Sequence, residues 1–178
     1  MKKAVFIDRD GVLVEDPGFV HKLEDFKLIK NAVEGLKLLK NYKLFIVTNQ
    51  SGIGRGYYTL KDFENFNNHL ISTLKKYSIN IEKTYYCPHK PEDNCDCRKP
   101  KTKFLKDAEK YFEIDLKKSY VLGDRKSDFD MGKAAGCTTI HVWTGKGIKH
   151  KNEINSDYSA KDLVDAAQWI VKKVNRKQ

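Results

Sequence analysis

Short apolar runs rich in β-branched and aromatic residues alternate along this chain with longer stretches whose apolar positions recur every three or four residues. The first kind predicts strands at Ala4 to Ile7, Leu44 to Thr48, Thr84 to Cys87, Tyr120 to Leu122 and Thr139 to Trp143. The second predicts helices over Ala32 to Leu39, Leu60 to Tyr77, Lys103 to Phe112 and Phe129 to Ala135. Leu163, Ala167, Ile170 and Val174 form a last amphipathic stripe. Strand and helix in alternation give an α/β fold: a Rossmann-like, three-layer parallel sheet covered by helices on both faces. No internal repeat, low-complexity tract or linker interrupts the pattern, and 178 residues are enough for one good core. Residues 1–178 are therefore expected to form a single domain.

In such folds ligands bind beyond the carboxyl ends of the strands, and the polar residues of this chain gather there. The first strand runs into Asp8 and Asp10, two carboxylates at i and i+2, followed by Gly11. Residues two apart in extended chain point to the same side, so both are expected to face one pocket. Like charges that close raise each other's pKa unless a divalent cation compensates, which argues for a metal. The second strand ends at Thr48, Asn49, Gln50, Ser51 and Gly52, a hydroxyl and a run of amides suited to cradling a phosphoryl group. Arg98 and Lys99 precede the fourth strand, which ends at Gly123, Asp124 and Arg125. Lys99 would neutralise charge on a transferring group; Asp124, Asp8 and the Asp10 carbonyl would hold Mg2+ through oxygen. Asp128 lies near enough to orient a metal water or Lys99.

A second constellation lies at about 87–97. Cys87 and His89, then Cys95 and Cys97, are paired ends of a compact loop. Three thiolates and one imidazole make a closed tetrahedral set for structural Zn2+. The fourth cysteine, Cys137, reads as a small core residue.

The formal net charge of +10 suits an anionic ligand, either a phosphate ester or a nucleic acid. The lysines are spread along the whole chain, as on the solvated faces of helices, and the charge alone names no partner. No apolar stretch approaches the roughly 20 residues that span a bilayer, so no membrane partner is expected. Met-Lys-Lys-Ala leads straight into a strand pattern without a secretory apolar segment, which places the chain in the cytoplasm.

Taken in order, Asp8-x-Asp10-Gly11, Thr48, Lys99 and Gly123-Asp124-x-x-x-Asp128 resemble the four motifs of the haloacid dehalogenase superfamily of phosphohydrolases. The resemblance implies an aspartyl-phosphate on Asp8, with Asp10 protonating the leaving group and then activating water. The Cys/His loop running into Arg98-Lys99-Pro100, with Asp8-Arg9-Asp10-Gly11 and the segment Asn49 to Gly56, is similar to the D-glycero-D-manno-heptose-1,7-bisphosphate 7-phosphatase family and its histidinol-phosphate phosphatase relatives. That similarity implies a phosphorylated-sugar substrate, with Thr48 and Lys99 stabilising the phosphoryl group and Arg98 and Arg125 meeting substrate. Ser51-Gly52-Ile53-Gly54-Arg55-Gly56-Tyr57 favours the heptose branch, with Arg55 supplying charge for a second phosphate; Asp16 and Phe19 sit in a substrate-facing loop. Val12 departs from the threonine usual in relatives. No insertion is large enough for a cap domain, so an open pocket walled partly by the zinc loop is expected, in a monomer. The alternatives are a histidinol-phosphate phosphatase, a polynucleotide 3'-phosphatase or a zinc-bearing nucleic-acid binder; the last leaves the strand-end motifs idle and lacks the aromatic interleaving of a single-strand groove.

Overall fold

The computed structural model describes residues 1–150 and 155–175, with the side chains at 150, 174 and 175 left out. Six strands form one sheet in the order β3-β2-β1-β4-β5-β6, every neighbouring pair parallel. β1 (Ala4–Ile7) lies at the centre, with Val5 opposite Leu44 of β2 (Lys43–Asn49) and Tyr120 of β4 (Tyr120–Gly123). β3 (Ile81–Cys87) closes one edge; β5 (Thr138–Val142) and β6 (Tyr158–Ala160) complete the other.

Both faces of the sheet are dry, which is why β1 is apolar at every position. Val5 and Ile7 pack into one core with Leu36, Phe66, Leu70 and Ile170, from α1 (Ala32–Leu38), α3 (Leu60–Lys76) and α6 (Leu163–Asn175). Ala4 and Phe6 point the other way, into a second core with Phe104, Leu105 and Met131 of α4 (Lys103–Phe112) and α5 (Lys126–Ala134). Cys137 belongs to this second core and Val12 to the first, as small apolar fillers. The stripe on α6 is buried at Leu163, Ala167 and Ile170; the side chain of Val174 lies outside the described residues.

The elements differ from their sequence expectations chiefly at the ends. α5 begins three residues before Phe129 because Asp128 turns back on the first turn, its Oδ2 accepting the Arg125 amide at 3.2 Å. α3 starts at a reciprocal cap, the Asp62 amide donating to Thr59 Oγ1 and the Thr59 amide to Asp62 Oδ2. β3 extends back to Ile81 through Glu82 and Lys83, polar residues that an edge strand tolerates. The sequence expectation lacked β6 and a four-residue helix, α2 (Ser51–Gly54), directly after β2. Among the described residues no cap domain covers the carboxyl ends of the strands.

Candidate active site

Beyond those strand ends lies a cavity of about 240 Å3. β1 delivers Asp8 and Asp10 to its floor, and β2 delivers Thr48, Asn49, Gln50 and Ser51. Arg98 and Lys99 enter from the Cys/His loop, Arg125 from the end of β4, and Asp16 and Phe19 from the loop after β1. Arg55 is the exception among the expected substrate contacts. The turn after α2 carries it away from the cavity wall, and its guanidinium sits 3.9 Å from Glu92.

Asp8 and Asp10 occupy unlike surroundings although they share a cavity. Asp8 Oδ1 accepts the Arg9 amide at 2.8 Å and stands 3.1 Å from Lys99 Nζ. Burial pushes its carboxyl up to about 7 against the pull of Lys99, with the charges of Asp128 and Asp10 adding to the rise. Burial thus outweighs the neighbouring aspartate that the sequence pattern emphasised. Asp10 is instead gripped through both oxygens: Oδ1 takes Arg9 Nε at 2.6 Å, and Oδ2 takes Arg9 Nη2 at 3.1 Å and Gln50 Nε2 at 2.8 Å.

Lys99 is buried, and its ammonium has three acceptors for its three hydrogens: the Val47 carbonyl at 2.9 Å, Asp128 Oδ1 at 2.7 Å and Asp8 Oδ1. Burial disfavours its charge, but Asp128 and Asp8 more than compensate and hold it protonated well above the usual lysine range. Its backbone is tied down too, by Asn49. The Asn49 carboxamide oxygen accepts the Lys99 amide at 3.0 Å while its nitrogen donates to the Lys99 carbonyl at 3.4 Å, as a neighbouring strand would. Lys99-Pro100 is a cis peptide.

Asp8, Asp124 and Asp128 bring ligand oxygens within 4.8 Å of one another, all buried. Burial and the charge of Asp8 raise Asp124 to about 6, against the amide of Lys146, which donates to its Oδ2 at 2.8 Å. Asp124 Oδ1 is buried without a hydrogen-bond partner. A buried carboxylate pair that Lys99 and Arg125 offset only in part, with one oxygen lacking a hydrogen bond, fits a hard dication that prefers oxygen ligands. Asp128 has its two oxygens on Lys99 and the Arg125 amide, so Asp8 and Asp124 offer the freer side chains. Gly11 makes the approach possible: with φ +89° it turns against Asp124, where any Cβ would collide with Oδ2.

The Cys/His loop has a geometry of its own. Cys87 Sγ lies 3.0 Å from Cys97 Sγ and 3.5 Å from Cys95 Sγ; His89 Nδ1 lies 3.3 Å from Cys97 Sγ and 3.6 Å from Cys87 Sγ. Tetrahedral ligands at the roughly 2.3 Å of a zinc–sulfur bond stand about 3.8 Å apart, so four soft donors converging this tightly fit Zn2+. Without a metal, burial raises the Cys87 and Cys97 thiols, whereas the amides of Cys97 and Arg98 and the neighbouring thiols lower Cys95 against its own burial, to about 6.

The cavity also holds partners that the sequence expectation left out. Asp16, expected only to face substrate, has a side chain that is just 5% exposed and pairs with Arg125 at 2.8 Å. It also stands 3.6 Å from Lys146 Nζ, so it holds two cations at the mouth. Lys146 follows the end of β5, so the strand-end rule that found Asp124 could have found it too. Tyr58 and Ser127 line the wall as well, and no sequence signal marks Tyr58.

A family model described as HAD-hydrolase-like matches residues 96–166. D-glycero-beta-D-manno-heptose-1,7-bisphosphate 7-phosphatase of Helicobacter pylori strain J99 is 42% identical over 171 residues, 94% of this chain and 97% of that one. The protein of the same name from Escherichia coli K12 is 36% identical over 179 residues, 95% of this chain and 94% of that one. Among solved structures, D,D-heptose 1,7-bisphosphate phosphatase from B. bronchiseptica, complexed with magnesium and phosphate, superposes with a TM-score of 0.89 at 25% identity, covering 96% of this chain and 99% of that one. Sequence agreement of this depth over nearly the full length of both partners means that the chain belongs to the D-glycero-D-manno-heptose-1,7-bisphosphate 7-phosphatase family of the haloacid dehalogenase superfamily.

Proposed function

We propose that this chain, a phosphoric monoester hydrolase by its family, removes the 7-phosphate of D-glycero-β-D-manno-heptose 1,7-bisphosphate by way of a phosphorylated Asp8. One observation carries the mechanism: two carboxylates line one cavity, one held beside a buried ammonium and the other free of that ammonium and clamped apart from it. With Oδ1 of Asp8 engaged by Lys99 and the Arg9 amide, Oδ2 attacks phosphorus. The bond from phosphorus to the sugar oxygen breaks as Asp10 gives that oxygen a proton. Asp10 then takes a proton from water, the water oxygen attacks phosphorus, and the bond to Asp8 breaks to release inorganic phosphate. Thr48 and the amides after it hold the phosphoryl oxygens, and Lys99 offsets their charge.

Mg2+ would be held by Asp8, the Asp10 carbonyl and Asp124, supplying positive charge where the phosphoryl group gathers negative charge; Asp128 supports the site through Lys99. Zn2+ would be held by Cys87, His89, Cys95 and Cys97 in a structural role. The second phosphate falls to Arg98, Arg125 and Lys146, the cations that border the cavity, in place of Arg55. The chain acts on a small sugar phosphate as a single-domain monomer in the cytoplasm; the one continuous sheet supports the single domain.

The test is phosphate release from a panel: both anomers of the heptose bisphosphate, histidinol phosphate, fructose bisphosphate and a 3'-phosphorylated oligonucleotide. The β-heptose bisphosphate is expected to give the highest kcat/KM, and Asp8→Asn to give no turnover. Preference for histidinol phosphate would overturn the substrate and spare the chemistry; turnover by Asp8→Asn near that of the wild type would overturn the chemistry itself.

A further inference from the structure

Among the described residues, Arg9 is the largest side chain that the fold buries completely. A guanidinium in that position costs free energy unless its surroundings answer it, and the answer here is directed at the cavity. Nε and Nη2 grip the two oxygens of Asp10 as a fork, at 2.6 and 3.1 Å. Nη2 also reaches the Val20 carbonyl at 3.1 Å and Gln50 Oε1 at 3.3 Å. The Phe66 and Phe63 rings of α3 lie against the guanidinium, with centroids 4.8 and 5.4 Å from its carbon. Nη1 is buried with no partner. A core that needed only to be filled would be served better by an apolar side chain, so the cost of burying Arg9 points to what it holds.

Because a guanidinium only donates, the Gln50 atom facing it must be the carboxamide oxygen, which also accepts Tyr58 OH at 2.6 Å. The amide nitrogen is thereby turned to Asp10 Oδ2 and to Thr48 Oγ1, each at 2.8 Å. The chain of bonds has one polarity, and Arg9 sets it.

We propose that Arg9 is a positioning residue for the hydrolysis: its fork, with the Gln50 amide that it turns toward Asp10, fixes the plane of the Asp10 carboxylate. The inference rests on the reading of Asp10 as the acid that protonates the leaving oxygen.

The leaving group supplies the test. An alkyl phosphate needs a proton on its departing oxygen, whereas p-nitrophenol leaves without one, so a misplaced acid harms only the first. In single-turnover phosphorylation of Asp8, Arg9→Met should lose about 10-fold or more with a sugar phosphate while staying within about 3-fold of wild type with p-nitrophenyl phosphate. Steady-state kcat on the sugar phosphate should fall with little change in KM. Arg9→Lys, which keeps the charge and lacks the fork, should not restore the rate. In an Asp10→Asn background, Arg9→Met should cost little more, since its effect passes through Asp10. Equal losses on both esters, rescue by lysine, or full additivity with Asp10→Asn would each overturn the proposal. Should Arg9→Met not fold, Gln50→Met breaks the same chain and must show the same split between the esters. Wild-type turnover in Asp10→Asn would overturn the reading of Asp10 instead, which separates the two failures.

Discussion

Lys99 carries more of the site than its single charge suggests, because it stands between two buried carboxylates that have little else to offset them. Replacing it with methionine removes the ammonium and keeps the volume, so Asp8 and Asp128 would face each other buried and uncompensated. Breaking a buried pair in this way costs about 3–5 kcal/mol. Urea unfolding of Lys99→Met at pH 7.5 should show a loss of that order, shrinking at pH 5, where the carboxylates take up protons in place of the lost cation. An equal loss at both pH values would mean that packing and not charge sets the cost. The same residues show what a sequence conceals. Asp8, Lys99 and Asp124 could be read from where they fall after apolar runs. The burial of Arg9 could not, since an arginine between two aspartates normally faces solvent. Its partners Val20, Gln50 and Phe66 come from three other segments that only the folded sheet brings together.

At the scale of elements, legibility followed burial. β1, covered on both faces, is apolar throughout and was found, as was α4, with its bounds unchanged. β6 escaped because it is an edge strand of three residues in which Ala160 alone is fully buried. The direction of Arg55 was hidden for a related reason: sequence proximity to Ser51 says nothing about which way a turn sends a side chain, here to 3.9 Å from Glu92. The Cys/His loop shows the reverse, since its spacing predicted the cluster and the cluster positions its immediate neighbours in the chain. Cys97, Arg98 and Lys99 are consecutive, so whatever fixes the thiols fixes the cations. Chelating zinc, or substituting Cys95→Ser, should lower folded yield and melting temperature and should reduce kcat in proportion to the metal lost. Metal analysis alongside differential scanning calorimetry checks this. A zinc-depleted chain with unchanged melting would remove the structural role.

For the whole molecule, the acidic centre makes stability depend on pH in an unusual sense. Without magnesium, Asp8 is raised to about 7 and Asp124 to about 6, whereas in an unfolded chain each would titrate near 3.9. Between about pH 4 and 7 the native state therefore binds more protons than the unfolded one, and stability falls as pH rises. The slope reaches at most about 1.4 kcal/mol per pH unit for each group. Asp62, Asp115 and Asp157, shifted down by hydrogen bonds or a lysine partner, act oppositely and only below that range, losing their contribution as acid protonates them. Magnesium would bind the ionised carboxylates, so its affinity should climb through pH 6–7 and its uptake should release protons. Thermal melts from pH 5 to 8 with and without added magnesium test this, the expected result being a stabilisation by the ion that grows with pH and levels off above about 7. The net charge of +10 belongs to the same scale, and the lysines that produce it are for the most part exposed. Lys99 is not, at 5% exposure and with every ammonium hydrogen engaged. An acylating reagent for amines would thus decorate the rim of the molecule and pass over its centre, so acylation at this one position would count only those chains that had opened completely.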